Sequence, residues 1–326
     1  MPITDVSTDP ERLTLTVTGD YDVPVERLWE AWIDPRRVER FWGPPGWPAT
    51  FTRHDVAVGG RSDYVMTGPD GERSRGWWRF ERVDDGRAFE IVDGFADADG
   101  EVDDSMPTMR MRLDVEAVGT GSRMRLVTTF PDVDAMERLL EMGMREGLGA
   151  ALGQADEVLD DLAALAAGQG VELTALDERR LRVTRPIRGS IEEVWRACHD
   201  ADLVRRWMLG PDGWTMPVCD QAEQVGDAYR WEWASEDGTE RFGFEGELLE
   251  STPPRRWVAT QAPIGADVEP NVNATTLTPF DGGTLLTLVI TCSSTEVRDE
   301  MLATGMVDGM EASYRRMEDA VLEPAG

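Results

Sequence analysis

The strongest constraint on this chain is that it repeats itself. Val25-Glu26-Arg27-Leu28-Trp29 recurs as Ile191-Glu192-Glu193-Val194-Trp195. Gly46-Trp47 recurs as Gly213-Trp214, Val58-Gly59 as Val225-Gly226, and Asp70-Gly71 as Asp237-Gly238. Late in each half, Gly143-Met144 with Gly147 recurs as Gly305-Met306 with Gly309. The order is kept throughout, which describes duplication of a whole domain rather than a short-period solenoid. A chain of 326 residues has room for two domains. We therefore expect domains at 1–165 and 166–326, joined between Ala163 and Glu178, where aromatic residues give way to Gly and Ala.

Each half shows the same succession of elements. Leu13, Leu15 and Val17 alternate with threonines, the period of a strand, as Leu181 and Val183 alternate with Arg and Thr. Val25, Leu28, Trp29 and Trp32 then form one apolar helical stripe, matched by Ile191, Val194, Trp195 and Cys198. Ser190 with Glu193 reads as a capping box, and Pro24 suits a first helical turn. Alternating segments follow, punctuated by Asp70-Gly71, Asp99-Gly100 and Asp237-Gly238, which read as hairpin turns. A long helical pattern closes each half, from about Val133 to Leu162 in the first. Its interior glycines, each costing up to about 1 kcal/mol against alanine, point to close packing or to space left for something else.

Composition narrows the chemistry. The 33 basic residues are all Arg, which excludes Schiff-base lysine chemistry and Walker-type phosphate binding. The two His and three Cys include no HExxH and no CxxC pattern, so no metal site and no cofactor is expected. A net charge of −30 disfavours nucleic acid and anionic membrane surfaces as partners. The N-terminus lacks the basic and apolar regions of a signal peptide, and a cytoplasmic location with reduced thiols is expected.

The motifs resemble the SRPBCC (START/Bet v 1-like) superfamily, and within it the bacterial branch named after the activator of Hsp90 ATPase. The resemblance rests on Pro24-Val25, Leu28-Trp29, Ala31-Trp32, Asp34-Pro35, Val38 and Phe41-Trp42-Gly43-Pro44, and on Asp55 with Val58-Gly59-Gly60. It covers nearly all of the first half. The second half is more divergent: Ala201 stands where Pro35 stands, and Asp227 replaces the second glycine of the pair. The resemblance implies an α+β fold of two tandem helix-grip domains. In each, a curved antiparallel sheet wraps a long C-terminal helix and encloses an apolar pocket. It does not imply Hsp90 as a partner, since nothing in the sequence identifies a chaperone-docking surface.

No residue pattern announces catalysis. Cys198 and His199 are adjacent on a helix and point about 100° apart, so they cannot form a nucleophile–base couple by themselves. Cys198 reads as a small core residue. His54 and Asp55 read as neighbours on opposite faces of a strand. The acidic run Asp97, Asp99, Glu101, Asp103 and Asp104 lacks the ligand order of an EF-hand and reads as a solvated loop. The aromatic and Met content is more telling, because Met-rich walls adapt to varied ligands. The expected pocket is lined by Trp42, Tyr64, Trp78, Met109, Met144 and Gly147 in the first half. In the second half Trp207, Trp231, Phe244 and Met306 are the candidates, and the first half is expected to bind better. The preferred reading is non-enzymatic binding or sequestration of a hydrophobic small molecule. A polyketide aromatase/cyclase-like enzyme and an acidic protein-interaction module remain as alternatives.

Overall fold

A computed structural model describes residues 2–160, 170–209, 213–280 and 283–322. The chain divides into two compact units, Met1–Ala164 and Leu165–Gly326. In the first unit a hairpin of β1 (Ile3–Asp9) and β2 (Thr14–Tyr21) leads into helices α1 (Val25–Ile33) and α2 (Pro35–Val38). Six strands follow: β3 (Ala49–His54), β4 (Arg61–Thr67), β5 (Arg73–Asp84), β6 (Ala88–Ala96), β7 (Met109–Val118) and β8 (Gly121–Thr129). Helices α3 (Val133–Glu141), α4 (Met144–Gly153) and α5 (Ala155–Asp160) close the unit. The strands form one antiparallel sheet in the order β1-β2-β8-β7-β6-β5-β4-β3.

The second unit repeats this plan. It comprises β9 (Glu172–Ala175), β10 (Arg180–Ile187), α6 (Ile191–His199), α7 (Ala201–Trp207), β11 (Trp214–Asp220), β12 (Ala228–Ser235), β13 (Arg241–Thr252), β14 (Arg256–Pro263), β15 (Asn271–Phe280) and β16 (Gly283–Thr291). Helices α8 (Thr295–Ala303) and α9 (Met306–Met317) end in a π-helical turn, Glu318–Leu322. Its sheet order, β9-β10-β16-β15-β14-β13-β12-β11, is the same topology.

Local chemistry explains the entry into each unit. The stripe Leu28, Trp29 and Trp32 is buried on α1. Asp34, fully buried, caps α2 by accepting from the Arg36 backbone N–H at 3.0 Å and pairs with the Arg36 guanidinium at 2.7 Å. The Asp-Pro pattern is thus a helix start with its charge neutralised. In the second unit Ser190 and Glu193 form the expected capping box.

Two edge strands, of seven and four residues, escape the sequence pattern. Strand β1 pairs with β2, Val6 opposite Val17. Strand β9 lies inside the segment expected to be a linker and pairs with β10, Leu173 opposite Val183. Four residues give too few alternations to read as a strand. The remainder of the expected join, from Ala163 to residue 169, lies outside the described residues, as does Leu162.

The closing helix is not one long rod. Gly143, at φ 86°, separates α3 from α4, and Gly305, at φ 69°, separates α8 from α9. A left-handed residue cannot continue a right-handed helix, and glycine reaches that conformation without steric penalty. These glycines act as interruptions rather than packing notches.

Inward-facing residues of the first sheet, among them Leu15, Val17, Met111, Leu113 and Leu126, join the helices in one contiguous core. Among the described residues the buried core of the second unit falls into three smaller apolar groups, centred on Val194 and Tyr314, on Met216 and Trp233, and on Leu181 and Ile290, linked through the half-buried Met208 and Leu288.

A candidate ligand site in the first unit

Register places the candidate residues of the first unit side by side on the inner face. Along one rung Phe51 is opposite Tyr64, Tyr64 opposite Gly76, and Gly76 opposite Phe95. Along the next, Ser62 is opposite Trp78, Trp78 opposite Asp93, and Asp93 opposite Met109. Trp42, delivered by the segment after α2, packs edge-on against Trp78 with centroids 4.7 Å apart and against Tyr64 at 6.1 Å. Trp78 and Tyr64 are 5.7 Å apart. Gly76 makes this possible, because a Cβ there would meet the Tyr64 hydroxyl at 2.3 Å.

At the centre of this aromatic group lies a carboxyl that sequence reading missed. Asp93 is only 6% exposed, and the Tyr64 hydroxyl donates to its Oδ1 at 3.5 Å, a long bond. Burial raises Asp93 to about 7, against the opposing pull of Trp78 and Tyr64. Burial, followed by the Asp93 charge, pushes the Tyr64 hydroxyl well above its usual range. The indole N–H groups of Trp42 and Trp78 lie beside Tyr64, and that of Trp78 also beside Asp93. Neither makes a hydrogen bond of normal geometry, nor does the buried Trp32 Nε1. An unpaired buried donor costs about 1–3 kcal/mol, so the poorly paired indoles of Trp42 and Trp78 beside the long Tyr64–Asp93 bond leave polarity uncompensated here. The signal for Asp93 was present in the sequence: it occupies an inward position of the alternation Phe89, Ile91, Asp93, Phe95.

Of the remaining first-unit candidates, Met109 lies buried next to this group, cross-strand from Asp93. Met144 packs half-buried against the core. Gly147 lies on the same side of α4 as Met144 and Leu148, yet a Cβ there would have nothing within 4 Å. Close packing is therefore not its role. The second-unit candidates are dispersed. Trp207 stacks on Tyr314 at 5.9 Å and donates to the Ala197 carbonyl. Trp231 and Phe244 are cross-strand partners in a second apolar group, and Met306 joins a third.

The two His have structural partners. His54 Nδ1 is 2.8 Å from Ser62 Oγ and its Nε2 is 3.0 Å from the Trp32 carbonyl. His199 stacks on Trp195 at 3.9 Å, and burial lowers its affinity for a proton. Cys198 packs against the second-unit core, and burial pushes its thiol up to about 12, although the residue as a whole is partly exposed. Asp97 accepts the backbone N–H groups of Asp99 and Glu101 at 2.9 and 3.0 Å, the geometry of an exposed turn. Among the described residues no group of three His, Cys, Asp or Glu is arranged to hold a metal, and no helix is long and apolar enough to cross a membrane.

Two eight-stranded antiparallel sheets, each with helices against one face and each built from one copy of an internal repeat, define a tandem SRPBCC-type protein. The chain belongs to the family of activator of Hsp90 ATPase homolog 1-like proteins, whose model matches residues 22–160 and 188–322. Among solved structures, a Mycobacterium smegmatis protein is 40% identical over 49% of this chain and 98% of its own, with a TM-score of 0.46. An Arthrobacter aurescens protein is 40% identical over 48% of this chain and 92% of its own, with a TM-score of 0.47. The AHSA1-like protein of Aeromonas hydrophila is 21% identical over 45% and 97%, with a TM-score of 0.40. No curated protein matches the chain.

Proposed function

We propose that the protein binds or sequesters an apolar small molecule bearing one polar group, without transforming it, between the sheet and α4 of the first unit. The observation that carries this reading is the buried Asp93–Tyr64 pair, joined by one long bond, with the poorly paired indole donors of Trp42 and Trp78 beside it. A folding core gains nothing from such polarity, whereas a ligand oxygen or nitrogen would satisfy it. Met109 and Met111, on the neighbouring strand, give the surrounding wall side chains that repack easily. A cytoplasmic setting and the absence of Hsp90 and nucleic acid from its partners belong to the same proposal.

One observation favours the enzymatic alternative. A carboxyl held at about 7 beside a tyrosine suits proton transfer at neutral pH, as an aromatase/cyclase-like reaction requires. Native mass spectrometry of the purified protein and titration with Nile red test the binding reading. We expect a retained small-molecule mass or saturable probe binding, weakened at least tenfold by Gly147→Leu in a folded variant. Absence of both would sink the proposal. Turnover of a co-purified compound that stops in Asp93→Asn, with binding intact, would favour the enzyme.

A further inference from the structure

The inner face of the second unit differs from that of the first at three successive rungs. Across β6 and β7 the pairs are Phe89–Leu113, Ile91–Met111 and Asp93–Met109. Across β14 and β15 they are Trp257–Thr275, Ala259–Asn273 and Gln261–Asn271. The shared sheet order sets this correspondence, with Leu113 opposite Leu126 where Thr275 is opposite Leu288. All six first-unit residues are buried, whereas of the second-unit six only Thr275 is. A packed floor that is apolar except for Asp93 has become a polar and partly accessible one.

The amides have specific hydrogen-bonding capacity left over. Asn273 Nδ2 donates to Gln261 Oε1 at 2.8 Å. Asn273 Oδ1 is buried with no partner, and Gln261 Nε2 has no protein partner among the described residues. The pair therefore offers one acceptor beside one donor. Turning both amides over together keeps the same combination, so the conclusion does not depend on how the amide atoms are assigned. Asn271, by contrast, is occupied: it accepts from the Ser293 backbone N–H at 2.9 Å and its Nδ2 rests on the Met301 sulfur at 3.7 Å.

The surroundings suit a flat molecule. Ala259 is cross-strand from Asn273 and lies between Trp257 and Gln261 on the same face of β14, so the floor has almost no side chain. Trp257 is braced edge-on by Trp195 at 5.4 Å and His199 at 4.8 Å. Trp231, on the same face two strands from β14 at the level of Pro263, carries a further buried and unpartnered donor. The amides are uncharged, and the net charge of −30 repels phosphorylated compounds.

We propose that the inner face of the second unit is a binding site for a neutral, flat heterocycle that lies over Ala259 and presents an adjacent donor and acceptor edge to Gln261 and Asn273. This site is separate from the one proposed for the first unit, so the duplicated halves have diverged toward different ligand chemistries.

The test uses the full chain with adenosine and uridine, two neutral nucleosides whose bases carry such edges. Binding is followed by tryptophan fluorescence and calorimetry. At least one nucleoside should bind saturably, and Asn273→Leu and Gln261→Leu should each weaken it tenfold or more. Ala259→Ile, which restores the first-unit residue, should abolish binding while the melting temperature holds or rises. Gly147→Leu in the first unit should leave nucleoside binding unchanged, whatever it does to Nile red. Failure of both nucleosides to saturate would overturn the proposal. Wild-type affinity in folded Ala259→Ile, or in both amide variants, would overturn it as well.

Discussion

Asp93→Asn is the most informative perturbation of the first unit, because its effect on stability has a defined dependence on pH. Asp93 titrates at about 7 in the folded protein, against 3.8 for a free side chain. Its folded value lies above its unfolded one, so its contribution to stability is fully present below 3.8 and is lost as pH rises to about 7. The slope is about 1.4 kcal/mol per pH unit for one proton, which over the whole interval amounts to about 4 kcal/mol. Solubility narrows the usable window, since the sequence pI is about 4.3. Between about pH 5.5 and 8 the wild type should lose about 2 kcal/mol through this group alone. Asparagine has nearly the same shape and does not ionise. The stability of the variant minus that of the wild type should grow by about 2 kcal/mol across that window and stay constant above it. Other titrating groups cancel in the difference. Urea unfolding curves at several pH values measure it, and where the two units unfold separately the first-unit transition is the one that moves. A difference that stays flat with pH, or a variant less stable at pH 8 than at pH 5.5 relative to wild type, would refute the argument for a buried, proton-holding carboxyl.

Gly147→Ala should stabilise the first unit by roughly 0.5–1 kcal/mol, since the added methyl meets nothing within 4 Å and the helix gains propensity. Gly143→Ala, at φ 86°, should instead destabilise it by about 1 kcal/mol or more, and thermal melts of the two variants should move in opposite directions. In the second unit Arg185, 3% exposed, holds Glu311 at 3.2 Å and Glu318 at 2.9 Å, tying α9 and the turn after it to β10. Arg185→Met should cost about 3 kcal/mol because it leaves Glu318 buried without its main cation, and hydrogen exchange should show that terminal segment loosening first. Cys198 should react slowly with a thiol-selective reagent at pH 8, as its thiol is pushed up to about 12. Rapid labelling of folded protein would contradict its burial.

The duplication, the succession of strand, helix, meander and a closing helical segment, and the turn and cap residues were all legible in the linear sequence. Each depends on interactions between residues close along the chain or on pattern alone: Ser190 with Glu193, the Asp-Gly turns, the stripe of Leu28, Trp29 and Trp32. Strands β1 and β9 were not legible, because an edge strand is defined by the neighbour it pairs with rather than by its own alternation. The break at Gly143 was readable as a helix cost but not as a left-handed turn, since glycine is compatible with both. Trp42, Tyr64 and Trp78 could be named as inward aromatics, while Asp93 looked like one more acid among 63 acidic residues. Only cross-strand register puts Asp93 opposite Trp78 and within reach of Tyr64, where loss of solvent changes its protonation. The difference between the two halves follows the same logic. The shared strand order and register make Asn273 the counterpart of Met111 and Ala259 that of Ile91. Tertiary structure decided that those two changes fall on one rung of one inner face, because strand pairing sets beside each other residues that the chain keeps far apart.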